Sequence, residues 1–202
     1  MSILCPYCLK PIAQDHFIDQ IAREIPLLKL PTKVFGIWVQ HNYASLYAFQ
    51  ELFSLFDFET VIELGTGSGA ISLFLWQHQH LRKKPIYTFD HRDPQIPLWE
   101  YPSLFYCKED LTTIEVIQRI QQIIKKEGRT FIYCDNGNKP QEFKTFAPFL
   151  KIGDVIGVHD WPSEISKEHT ESLISEINLK EILADFTIQY ATHQKFWLRM
   201  EK

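Results

Sequence analysis

Short apolar runs alternate along the chain with longer stretches in which apolar residues recur every three to four positions. The first pattern is typical of buried strands and the second of amphipathic helices. Five short runs, rich in β-branched and aromatic residues and bounded by turn residues, predict strands at 60–64, 85–90, 103–107, 130–135 and 154–159. The second pattern predicts helices at 43–56, 68–81, 113–127 and 166–178, and another that begins at Pro140.

Regular alternation of strands and helices indicates a parallel sheet that is covered by helices on both faces. Two further strand candidates, 181–190 and 195–201, follow the last predicted helix and are joined by a short turn. They predict a closing antiparallel hairpin. We therefore predict an α/β fold, a three-layer sandwich around a mostly parallel sheet of seven strands.

Composition limits the kind of protein this can be. The 202 residues are 45% apolar and 14% aromatic, which is enough for one packed domain, and we place it at 43–202 after a proline-rich arm or cap at 1–42. A net charge of −4 provides no basic surface for nucleic acid, and the chain contains no apolar run long enough to cross a bilayer. We expect a soluble cytoplasmic protein that binds a small molecule.

A glycine-dense turn connects the strand at 60–64 to the following helix. Gly65, Gly67 and Gly69 can adopt positive φ and let a ligand approach the backbone, while the helix directs unpaired amide donors at the same turn. The spacing from Gly65 to Ala70 also fits the dinucleotide fingerprint, with Asp90 at the position of a ribose-binding acid. The glycines therefore predict a nucleotide-like ligand but leave its identity open.

Glu63 precedes this turn, and a carboxylate directed into the cleft would suit a cationic ligand better than a pyrophosphate. The segment Glu63-Leu-Gly65-Thr-Gly67-Ser-Gly69 resembles the first motif of the Rossmann-like class I S-adenosylmethionine-dependent methyltransferases. The resemblance implies that Asp90 binds the ribose of the cofactor and that Asp110 recognises its adenine. It also implies contacts to the methionine part of the cofactor from the motif itself: Glu63, Gly65, Thr66, Gly67, Ser68 and Gly69.

A second resemblance involves the ends of the fourth and fifth strands. Asp135-Asn-Gly-Asn-Lys139 and His159-Asp160 resemble the corresponding turns of the macrocin and cephalosporin-type O-methyltransferases. It implies that Asp135 contributes to the cofactor site and that Asp135 and Asp160 are oxygen ligands for Mg²⁺. Asn138 stands where that subgroup has a histidine, so His159 becomes the candidate base, with Asp135 as the second catalytic residue. The implied reaction is methyl transfer to a hydroxyl oxygen of a small molecule.

Several alternatives stay open from the sequence. One is an NAD-dependent oxidoreductase; another is a catalytically reduced cofactor-binding or partner protein, which would explain Asn138. Cys5 and Cys8 resemble a redox pair, or form half of a zinc site completed by His16 or His41. The acceptor molecule and a homodimeric state are also open.

Overall fold

A computed structural model describes residues 32–80 and 83–202 of the chain. Three predictions lie outside these described residues: the first part of the proposed N-terminal arm, the role of Cys5 and Cys8, and that of His16.

The centre of the molecule is a seven-stranded sheet with the order β5-β4-β3-β6-β7-β9-β8. The strands from β5 to β7 in this order are parallel, whereas β9 is antiparallel to both of its neighbours. This sheet confirms the predicted fold, including the antiparallel pair at the C-terminus. Its strands are β3 (Thr60–Leu64), β4 (Ile86–Asp90), β5 (Leu104–Lys108), β6 (Thr130–Cys134), β7 (Val155–Val158), β8 (Leu179–Ile182) and β9 (Lys195–Arg199).

Helices cover both faces of the sheet. Side chains alternate between the two faces along β6, where Tyr133 joins one apolar core and Ile132 joins the other. The first core includes residues of α1 and α2, and the second includes residues of α3, α4 and α5. None of the helices among the described residues is long and apolar enough to span a membrane. The helices are α1 (Tyr43–Leu55), α2 (Ala70–His80), α3 (Ile114–Ile124), α4 (Lys139–Phe146), α5 (Lys167–Glu176) and α6 (Ala184–Gln189).

A small antiparallel hairpin precedes this domain. It consists of β1 (Thr32–Val34) and β2 (Ile37–Val39). Val34 and Val39 are buried in the same apolar core as residues of α1 and α2. The last part of the proposed arm therefore packs directly on the sheet domain.

The prediction of one long strand at 181–190 was wrong. The strand β8 ends at Ile182, Leu183 adopts a left-handed φ of 56°, and α6 follows. Phe186 and Tyr190 lie one helical turn apart and pack on Ala44 of α1. This tertiary contact favours a helix over the predicted strand.

Candidate functional site

A cavity of about 510 Å³ lies beyond the carboxyl ends of β3, β4 and β6. Ligands in parallel α/β sheets bind at this edge because the strand-to-helix turns converge there. The hairpin contributes one wall, since Trp38, Val39, Gln40 and His41 also line the cavity. The sequence-predicted residues that line it are Gly65, Thr66, Gly67, Ser68, Asp90 and Asp135.

The glycine turn forms the floor on the β3 side. Gly65 has a φ of 104°, and a Cβ atom there would lie 2.4 Å from the carbonyl oxygen of Asp135. Gly67 also has positive φ, but a Cβ atom at this position would meet nothing within 4 Å. Gly65 is therefore required for packing against the end of β6, whereas Gly67 borders the open cavity.

Asp90 ends β4 and is almost fully buried, yet it lines the cavity. Its Oδ2 accepts a hydrogen bond of 2.9 Å from the Gly67 amide, and its Oδ1 accepts one of 3.0 Å from the Arg92 amide. Each carboxylate oxygen can accept more than one hydrogen bond. Asp90 is thus rigidly placed and keeps acceptor capacity for a ligand.

Glu63 is not among the residues that line the cavity, whereas the argument from sequence expected it to face a cationic ligand. It is fully buried, and the hydroxyl groups of Ser72 and Thr88 donate to its Oε2. Burial raises the pKa of Glu63 to about 8, although these two hydrogen bonds oppose the rise. A carboxyl group with this pKa is mainly neutral at pH 7, and its hydrogen bonds join α2 to β4.

Two other predicted cofactor residues lie outside the cavity lining. The amide and the hydroxyl group of Thr112 donate to Asp110 Oδ1 at 2.8 Å and 2.7 Å, ahead of α3. Gly69 adopts a φ of 86° and packs close to Pro94. In this structure, Asp110 stabilises the turn before α3, and Gly69 allows close packing against Pro94.

The β6 side of the cavity carries a cluster of charged groups around Lys139, the first residue of α4. Its ammonium nitrogen lies 2.8 Å from Asp160 Oδ2, 2.7 Å from Glu164 Oε2 and 3.8 Å from Asp135 Oδ1. It also donates to the backbone oxygen of Asn136 at 3.0 Å. Lys139 is only 4% exposed, so this cluster is largely shielded from solvent.

Two histidines stack beneath Asp135. The rings of His41 and His159 are parallel within 8°, with centroids 3.9 Å apart. His159 Nδ1 donates to Asp135 Oδ1 at 3.1 Å, and His41 Nε2 lies 3.3 Å from Asp135 Oδ2. Because β6 and β7 are adjacent and parallel, Asp135 and His159 meet at their carboxyl ends. His41 reaches them from the loop between the hairpin and α1.

The two histidines have opposite protonation properties. Burial lowers the pKa of His159 by itself, but the charge and hydrogen bond of Asp135, together with Asp160, outweigh it and raise the pKa to about 9. Burial and the nearby His159 lower the pKa of His41 to about 3, against the opposing effect of Asp135. At neutral pH, His159 is therefore protonated and His41 is neutral.

Buried polar groups hold the neutral histidine in place. The Tyr133 hydroxyl lies 3.1 Å from His41 Nε2 and accepts a hydrogen bond of 2.8 Å from Gln194 Nε2. Gly157 leaves room for two rings, since a Cβ atom there would lie 2.7 Å from the ring of Phe196 and 3.1 Å from that of Tyr133. Nε2 of His41 therefore faces both the Tyr133 hydroxyl and the carboxylate of Asp135.

His41 and Lys139 are the site residues that sequence reasoning missed as functional candidates. His41 was considered only as a zinc ligand, because nothing local places it near residues about a hundred positions later. Lys139 follows Asn138, whose side chain accepts from the Gln141 amide and caps α4. This cap signal was available in the sequence, and it places Lys139 in the first helical turn beside Asp135.

Several known structures share the fold of this chain. The apo structure of CmcI superposes with a TM-score of 0.68 at 11% identity, covering 85% of this chain and 77% of CmcI. The Mg–SAM form of CmcI gives a TM-score of 0.62 at 13% identity, with coverage of 83% and 76%. A Staphylococcus aureus protein assigned as a caffeoyl-CoA O-methyltransferase gives 0.56 at 12% identity, with coverage of 92% and 93%.

Sequence comparisons add nothing to this picture, since no protein-family model and no curated protein matches the chain. At these identities, the structural matches establish the fold alone. The chain shares the Rossmann-like fold of these methyltransferase structures, and its own last strand is antiparallel to both neighbours.

Proposed function

We propose that this chain is an S-adenosylmethionine-dependent methyltransferase that methylates a hydroxyl oxygen of a small molecule. The observation that carries the proposal is the composition of the cavity. One half is an open glycine turn with a buried acid at the next strand end, and the other half holds a neutral histidine beside a carboxylate. A cofactor and an acceptor would thus meet in a single cleft.

The residues present fit the cofactor. A cavity of about 510 Å³ is in the range of small-molecule sites. Gly67 leaves open space over the turn, and Asp90 offers acceptor capacity to hydroxyl groups. When bound, S-adenosylmethionine supplies an electrophilic methyl group on a sulfonium and leaves as a neutral thioether.

His41 is the proposed proton acceptor. It is neutral at pH 7, lines the cavity and is oriented by Asp135, whereas His159 is protonated and lies behind it. A hydroxyl oxygen becomes strongly acidic as its bond to the methyl carbon forms, so a weak base is sufficient. Asp135 then stabilises the imidazolium, as in other carboxylate–histidine pairs.

The sheet topology and the presence of His41 disfavour the two rival functions. An NAD-dependent oxidoreductase is disfavoured because strand β9 lies antiparallel between β7 and β8, not because of Glu63. A catalytically reduced protein is disfavoured because His41 supplies the basic group that Asn138 lacks. The cytoplasmic location, the lack of a nucleic-acid partner and a homodimer stay predictions.

The first test is calorimetric titration with S-adenosylhomocysteine and with NAD⁺. We expect micromolar binding of S-adenosylhomocysteine by the wild type and a loss of at least about 100-fold in Gly67→Arg, because the arginine fills the cavity. Gly36→Arg is the matched control. Gly36 also has positive φ and open space for a Cβ atom, but it lies in the hairpin turn.

Equal loss in both arginine variants would assign the effect to backbone strain and remove the support for a ligand at Gly67. Binding of NAD⁺ in place of S-adenosylhomocysteine would overturn the proposal. Methyl transfer from labelled S-adenosylmethionine to a panel of hydroxylated acceptors then tests the reaction itself.

A further inference from the structure

Lys139 occupies the position at which the sequence resemblance implied a divalent cation. An ion held by Asp135 and Asp160 would need oxygen ligands at about 2.0–2.1 Å. The ammonium nitrogen of Lys139 already lies 2.8 Å from Asp160 Oδ2. An ion bound to that same oxygen would therefore lie within about 5 Å of a positive charge. The side chains as they stand do not fit Mg²⁺ between these two residues.

The ammonium is saturated by its neighbours. A lysine has three N–H donors, and Lys139 has three oxygen atoms within 3.0 Å: Asp160 Oδ2, Glu164 Oε2 and the Asn136 carbonyl. The lysine side chain is 5% exposed, which leaves little access for water or a competing ion. Carboxylates and a backbone carbonyl are also the ligands that Mg²⁺ prefers, so the lysine satisfies an oxygen site built for a cation.

We propose that the Lys139 ammonium takes the place of a divalent cation between Asp135 and Asp160, so that no metal is needed between these two residues and removal of the ammonium creates a Mg²⁺ site there. The part concerning catalysis rests on the proposed function; the part concerning metal binding does not. A fixed positive charge at the cavity wall would favour loss of the proton from the acceptor hydroxyl to His41. All three N–H donors are engaged, so Lys139 acts by its charge and not by donating to the acceptor.

The decisive experiment measures metal binding without any methyl transfer. The wild type, Lys139→Ala and Lys144→Ala are titrated with MnCl₂ by electron paramagnetic resonance, and bound Mn²⁺ is displaced with MgCl₂. We expect the wild type and Lys144→Ala to bind no Mn²⁺ with a Kd below about 1 mM, and Lys139→Ala to bind at least about tenfold more tightly. Lys144 is an exposed lysine of the same helix, so it controls for loss of a positive charge.

A second substitution locates the new site. Asp160→Asn added to Lys139→Ala should abolish the gained binding, because it removes one of the freed carboxylates. Gained binding that persists in the double variant, or Lys139→Ala that folds and gains none, would overturn the inference.

The wild-type titration decides the question even where Lys139→Ala does not fold. Sub-millimolar Mn²⁺ binding by the wild type that is lost in Asp160→Asn would show that the metal site exists beside the lysine, and the inference would fail.

If methyl transfer is detected, it should change less than about twofold between EDTA and added MgCl₂, whereas a metal-dependent enzyme loses activity by orders of magnitude. A chain that binds no S-adenosylhomocysteine would end the proposed function but leave the metal titrations interpretable.

Discussion

The two halves of the cavity are built in different ways. The β3 side consists of consecutive backbone turns, in which Gly65 and Gly67 provide shape and Asp90 supplies a carboxylate. The β6 side consists of side chains from separate segments, with His41 and Lys139 brought together around Asp135. The first half is suited to holding a cofactor in a fixed pose, and the second is suited to handling charge and protons.

Substitutions in the two halves should therefore have different consequences. The turn depends on local conformation, so its failures should appear as lost binding or lost stability. The charged cluster depends on mutual protonation states, so its failures should appear in turnover and in pH dependence.

The largest effect is expected when each of the two stacked histidines is replaced separately. We expect His41→Gln to lower kcat by about 10²–10⁴-fold, because it removes the proposed proton acceptor. The Kd for S-adenosylhomocysteine should change by less than about threefold, because the glycine turn is untouched. Steady-state kinetics and calorimetry on the same preparation measure both quantities.

His159→Gln is the matched variant, since it removes the other ring of the stack. We expect it mainly to destabilise the cluster, because His159 carries the charge that pairs with Asp135. A large loss of kcat in His159→Gln with little change in His41→Gln would instead make His159 the base, as the sequence alone predicted.

A second test concerns the seam between the halves. Gly65→Ala should lower the free energy of unfolding by about 3–4 kcal/mol, because a Cβ atom would collide with the Asp135 backbone. Gly67→Ala should cost only about 1–2 kcal/mol, the cost of a left-handed φ with open space around it. Urea unfolding of both variants measures the difference. Equal costs would show that the turn is not packed against β6 as described.

The smallest expected effect is that of Glu63 on the pH dependence of stability. The pKa of Glu63 is raised from 4.5 to about 8 on folding, so the folded chain keeps a proton that the unfolded chain releases in this range. The contribution of Glu63 to stability is therefore present below pH 4.5 and is lost as the pH rises toward 8. Glu63→Gln should gain about 1–3 kcal/mol over the wild type at pH 8 and almost nothing at pH 4.5.

Unfolding of both proteins across this pH range checks the sign. Other titrating groups affect the two proteins equally, so the difference isolates residue 63. Parallel stability curves would mean that Glu63 is ionised in the folded protein, and its proposed neutral supporting role would be wrong.

Features that depend on neighbouring residues in the chain were predictable from the sequence. The five parallel strands lie within one residue of their predicted bounds, because each is a short apolar run between turn residues. The glycine turn and the acid at the end of β4 were likewise predictable, since positive φ and strand ends are local properties. The prediction failed at 181–190, where a contact with Ala44 selects a helix.

The chemistry of the site depends on contacts between segments that are distant in the sequence. The direction of Glu63 depends on hydroxyl groups from α2 and β4, and the charge of His159 depends on Asp135 and Asp160. His41 meets Tyr133, which is 92 positions away, only because the hairpin folds over the sheet edge. Protonation states and cation sites are set by distances between segments, and these distances are not encoded in any local pattern.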